Sequence, residues 1–141
     1  MDDYVEIKVK NFSKYNKKIY FLIAKEKTIP NDGKLIDEIF VKYRDILVKN
    51  PGVITFVDFR IVESFPIPLI WSKANAYAGE LDPIARKCLY SSCVFVSGPA
   101  VKTFVNSILQ VYPPVRPLKV CNTNEEGMKF TEEIIKKISK K

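Results

Sequence analysis

The chain has 141 residues, 47% of them apolar and 28% charged, which suits one globular core. It contains no histidine, so Ser–His and Cys–His catalysis are excluded and the commonest metal ligand is missing. The net charge of +7 favours anionic partners, and no apolar run approaches the roughly 18 residues of a membrane span.

Residues 4–10, "YVEIKVK", alternate apolar and polar and predict a half-buried strand. A polar segment, "NFSKYNKK", follows, and 18–26 reads as a second, apolar strand. The two predict a hairpin with a long basic turn. "IPNDGK" breaks the chain, with Asn31 or Asp32 as the expected helix cap. Leu35, Ile36, Ile39, Phe40, Tyr43, Ile46 and Leu47 recur at helical spacing until "NPG" stops the helix at 50–52.

Residues 53–62, "VITFVDFRIV", are apolar on both alternating faces, as in a central strand covered by helices. Pro66 and Pro68 suit a first helical turn, and a helix is predicted from Ile67 to about Ala78. "GELDPIARK" reads as a loop, with at most one further turn after Asp82-Pro83. A strand centred on Cys93–Val96 comes next. Pro99 then starts a helix that buries Val101, Phe104, Val105, Ile108 and Leu109. "PPVRP" ends it and "LKVCN" is a short last strand. Thr123, three before Glu126, signals a capping box. The final helix is expected to bury Met128, Ile134, Ile135 and Ile138 and to end in lysines that complement its dipole.

This order, two strands and a helix followed by three strand–helix pairs, predicts an α/β domain over residues 1–141. Its sheet has about five strands, mixed but mostly parallel, with four helices. Cys88, Cys93 and Cys121 lack metal-ligand spacing and form an odd set, so they read as small core residues. The start, "MDDYVEIKVK", lacks the basic and apolar regions of a secretory signal, so a cytoplasmic location is expected. The lysines are dispersed along the chain. They read as a solvated surface, and nucleic acid is not an expected partner. No cofactor or metal is expected.

"VDFRIVESFPIPL", "CVFVSGPAVKTFVNSI" and "LKVCNTNEEGMKFTEEI", in this order, resemble the STAS-like domains, specifically the SpoIIAA-like branch. The resemblance implies a non-enzymatic, regulatory role. Anti-sigma-factor antagonists of that wider family bind a protein partner at the start of the helix after the central strand, where a serine is phosphorylated. Glu63 and Ser64 stand at that place, with "FPIP" where the family has a Gly-rich stretch. Ser64 is thereby the candidate phosphoacceptor. CRAL-TRIO domains, of related topology, hold an apolar ligand between sheet and helix.

The candidate binding residues are Asp58, Arg60, Glu63, Ser64, Phe65 and Trp71. Asp58 and Arg60, two apart on a strand, share a face and can pair, or Arg60 can meet an anion. Ser64 is a helix cap or a modification site. Phe65 and Trp71 fill the core or line a pocket. A second reading of function is a carrier or sensor that holds an apolar or anionic small molecule between sheet and helix.

Overall fold

The computed structural model describes residues 4–29 and 32–139. Its five strands are β1 (Val5–Phe12), β2 (Lys17–Ala24), β3 (Val53–Asp58), β4 (Leu89–Phe95) and β5 (Leu118–Cys121), joined in the spatial order β1-β2-β3-β4-β5. β1 runs antiparallel to β2 and the remaining pairs are parallel. The helices are α1 (Lys34–Lys49), α2 (Ile67–Cys88), α3 (Pro99–Val111) and α4 (Asn124–Ser139). The expected mixed, mostly parallel sheet with four helices is the one observed.

Each parallel connection moves one place along the sheet in the same direction. Such crossovers share one hand, which sends α1, α2 and α3 to a single face. That face holds Val5, Leu22, Val53, Val57 and Leu89, packed with Leu35 and Leu47 of α1 and Ala85 of α2. The other face holds Ile19, Ile54, Phe56, Cys93, Phe95 and Cys121 under Ile135 of α4. β3 is buried on both faces, which is why it reads as apolar on both alternating faces, with Thr55 its one hydroxyl. Phe21, Phe56 and Phe95 meet edge to face, with ring centroids 5.2 and 5.1 Å apart.

Several boundaries depart from the sequence reading. The β1–β2 connection is short: the strands extend to Phe12 and Lys17 around a 3₁₀ turn at Ser13–Tyr15, with Asn16 left-handed at φ 54°. α1 begins after Gly33, whose φ is 75°, while Asp32 Oδ1 accepts from the Lys34 amide at 3.0 Å. Asn31 lies outside the described residues. β3 stops at Asp58 because Asp58 Oδ1 accepts from the Arg60 amide at 2.9 Å and turns the chain out of the sheet.

The segment read as a loop, 79–87, is helical, so α2 is one helix of 22 residues. Pro83 lies inside it. The amide it lacks would have met the carbonyl of Gly79, an exposed residue that water can serve. Leu81, Ile84, Ala85 and Cys88 continue the stripe that packs on the sheet, and their burial outweighs the proline.

α4 has the expected cap in modified form. Thr123 Oγ1 accepts from the Glu126 amide at 3.2 Å, but the Glu126 carboxylate returns to the Asn122 amide at 3.3 Å rather than to residue 123. Its buried line is Gly127, Thr131 and Ile135, one turn apart. Ile138 is 37% exposed and does not belong to it.

Candidate functional site

The ends of parallel strands, where side chains leave the sheet, are where open α/β folds place ligands. At that end of β3, Asp58 and Arg60 form a two-point ion pair: Arg60 Nε donates to Oδ1 at 3.0 Å and Nη2 to Oδ2 at 2.7 Å. Nη2 also donates to Asn124 Oδ1 at 2.9 Å, and the guanidinium lies 4.8 Å from the Phe95 ring centre. The Asp58 hydrogen bonds hold the Arg60 pKa above its ordinary value. The pair faces α4 and ties the β3–α2 loop to the first residue of that helix. With most of its fork engaged, Arg60 acts as a clasp.

Glu63 and Ser64 lie on the same loop but away from this pair. Both are exposed. Ser64 is not a helix cap: Pro66 occupies the N-cap position and no side chain caps α2. The Ser64 backbone instead bridges to the β2–α1 loop. Its carbonyl accepts from the Ile29 amide at 2.9 Å, and the Glu63 amide donates to the Lys27 carbonyl at 2.7 Å. This short parallel bridge holds the Ser64 side chain outward at a fixed place.

Phe65 and Trp71 are half-buried and join α2 to α3. Phe65 stacks on Phe104 at 4.7 Å, and Trp71 meets Phe104 edge-on at 6.1 Å and Tyr112 at 6.4 Å. Around them, Ile61 and Ile67 are 42% and 48% exposed, giving the start of α2 an apolar surface beside Glu63 and Ser64. The six candidate residues therefore fall into three places: a clasp, an outward loop and an aromatic hinge.

The same face of the sheet carries a groove that sequence reasoning did not assign to particular residues. α2 leans chiefly on α1, and α2 and α3 touch the sheet sparingly, so the β4–β5 half of this face is thinly covered. An open apolar groove of about 270 Å³ results. Its floor is Val57, Val94, Leu118 and Ser92, and its walls include Ile39 and Phe40 of α1 and Tyr77 and Leu81 of α2. A narrower apolar recess of about 80 Å³ lies between Ile29, Val62, Phe65 and the α3 residues Phe104 and Ile108. Ile36 and Phe59 line both spaces, so the two adjoin.

Three hydroxyls meet at and beneath the groove floor. Thr55 Oγ1 lies 3.1 Å from Tyr43 Oη and 2.9 Å from Ser92 Oγ. Burial pushes the Tyr43 phenol up, so it stays neutral. Thr55 can donate only one proton, so Tyr43 or Ser92 supplies the other bond. The signal in the sequence was a hydroxyl inside each of two apolar strands, "VITFVD" and "YSSCVF".

Burial also governs the thiols. The Cys93 thiol is pushed up to about 12 and that of Cys121 is raised, so neither is a thiolate at neutral pH. Near the groove, the Tyr77 hydroxyl and the Lys73 ammonium hold Asp37 below the usual aspartate range. A general acid needs the opposite shift. Among the described residues no three Cys, Asp or Glu side chains are grouped to hold a metal.

No protein-family model matches the chain, and no curated protein matches it. A solved structure does. It is an uncharacterized protein from the DUF3478 family with a SpoIIAA-like fold, from Shewanella loihica PV-4. The TM-score is 0.54 at 8% identity, over 89% of this chain and 92% of that one. The fold is SpoIIAA-like. At that identity the likeness concerns the path of the chain alone. No described helix is long and apolar enough to cross a membrane.

Proposed function

We propose that this SpoIIAA-like domain is non-catalytic and holds a small, mainly apolar molecule bearing one polar group between its sheet and helices. The observation that carries this reading is the apolar groove over β4 and β5, with Tyr43 and Ser92 among its lining residues and both bonded to Thr55 beneath them. Small-molecule sites share that make-up, an apolar lining with few polar groups that set orientation. The adjoining recess extends the space toward the aromatic hinge, where Phe65 and Phe104 line it. Native mass spectrometry of the protein purified from cells tests this. An added mass lost in Val94→Trp, which fills the groove, supports the reading. A bare polypeptide mass, with no binding of an apolar fluorescent probe, sinks it.

A second reading is recognition of a protein at the start of α2. Exposed Ile61 and Ile67 beside the outward-held Ser64 favour it. Phosphorylation at Ser64 would add charge beside that apolar patch and change its affinity. In a pull-down from the native cell, Ser64→Asp and Ile67→Asp should each alter the captured partner. An unchanged profile in both variants removes this reading.

A further inference from the structure

We propose that the edge of the domain where the parallel strands begin binds single-stranded nucleic acid through its phosphates. The inference is independent of the groove. It rests on where the topology sends the chain's excess charge. Each helix runs back against the strands, so helix ends and strand starts collect at one edge. Lys49 closes α1, Arg86 and Lys87 close α2, and Lys136 and Lys137 lie in the last turn of α4. Lys17 and Lys18 open β2, and Lys14 sits in the turn before them. Arg116 reaches the same place, where its Nε donates to the Leu89 carbonyl at 3.0 Å.

Few carboxylates oppose these groups. Asp45 pairs with Lys49 at 3.1 Å, and Glu132 is shared by Lys14 and Lys136 at 3.5 and 3.4 Å. At the opposite edge, Asp58, Glu63, Glu125 and Glu126 offset the cations. Helix-dipole compensation accounts for the lysines and arginine at the ends of α1, α2 and α4. It does not account for Lys14, Lys17 and Lys18, which belong to the hairpin.

The donors at this edge suit a polyanion. Two polar clefts of about 320 and 360 Å³ flank Asn16, Lys17 and Lys18, which line both. Asn11 and Ser13 complete one, and Asn50 and Gly52 the other. Lys17 and Lys18 point to opposite sheet faces, and the Lys17 ammonium lies 3.8 Å from the Tyr90 ring centre. Amide, hydroxyl and ammonium donors around these open clefts suit successive phosphates of a flexible strand, which can follow both.

The test is fluorescence anisotropy of the full chain with labelled oligothymidylate, and its RNA counterpart, of about 16 nucleotides. Binding at about 50 mM salt should weaken at least tenfold by about 200 mM, at roughly −0.7 in log–log slope per phosphate engaged. Lys17→Glu with Lys18→Glu should lose at least about tenfold in affinity, and Lys27→Glu with Lys34→Glu, at the other edge, should lose little. Circular dichroism melts establish that the variants fold. If the glutamate pair does not, the Lys17→Gln, Lys18→Gln pair carries the same comparison. No binding at low salt overturns the proposal. So do equal losses at the two edges, or binding of phosphatidylserine-containing vesicles without binding of the oligonucleotides.

Discussion

Gly127 lies so close beneath Phe95 that a β-carbon in its place would stand 2.6 Å from the ring's Cζ and 2.9 Å from Cε1. The Thr131 hydroxyl donates to the Gly127 carbonyl at 2.8 Å, and the Cys93 thiol reaches the same oxygen at 3.7 Å. This is where α4 seats on the sheet. An exposed helical Gly→Ala change stabilises by up to about 1 kcal/mol. Here overpacking against a buried ring should reverse the sign and cost about 1–3 kcal/mol. Urea denaturation of Gly127→Ala measures it. A gain in stability would show that α4 does not seat on Phe95.

The Asp58–Arg60 clasp should behave as a coupled unit. The side chains are 12% and 29% exposed, so solvent screens them only in part. Asp58→Ala strips Arg60 of its two-point partner and should cost about 1–3 kcal/mol. Arg60→Leu should cost less, since Asp58 still accepts from the residue 60 amide. A double-mutant cycle should return a coupling of at least about 0.5 kcal/mol. Additive losses would mean that the two groups act separately.

Thiol chemistry offers a check that needs no mutation. With Cys93 pushed up to about 12 by burial and Cys121 also raised, both should resist Ellman's reagent in the native state. Cys88 is half-buried and should react ahead of them. All three should react at once in denaturant. Rapid native labelling of Cys93 would place that thiol outside the core.

Acid should weaken the contact between α1 and α2. Asp37 accepts from Tyr77 and pairs with Lys73 at 2.9 Å, and its folded pKa lies below the ordinary 3.8. A depressed carboxylate stabilises above its unfolded pKa and loses that contribution as pH falls through the folded value. The carboxylate is 41% exposed, so only a few tenths of a kcal/mol are at stake. The advantage of wild type over Asp37→Asn should thus be present near neutral pH and vanish below pH 3.8. A gap that widens in acid would contradict the arrangement.

The strand–helix order was legible because it depends on periodicity, which local sequence carries. The path of β3 could be read from its apolar residues on both alternating faces and the cap of α4 from Thr123 and Glu126. The 79–87 segment could not. Gly79 and Pro83 are local stop signals, and the packing that overrules them is tertiary. The Asp58–Arg60 pairing was visible as a spacing of two, whereas Asn124, which completes it, lies 64 residues away. Phe65 and Trp71 could be named as aromatics, but their partner Phe104 belongs to another helix. The groove was least legible of all. It arises where helices fail to cover a sheet, and no residue pattern encodes such a gap.

The order in which the strands lie side by side is also the order in which they are made. Each new strand lands next to the last one, so the sheet can grow outward from the first hairpin without threading or waiting for a distant segment. On a ribosome, everything up to the third strand can settle before the fourth emerges, with a single growing edge beside the fixed outer edge of the first strand. The last helix then closes over apolar strands already in place. Truncation ahead of that helix should leave a sticky, aggregating intermediate instead of a random coil.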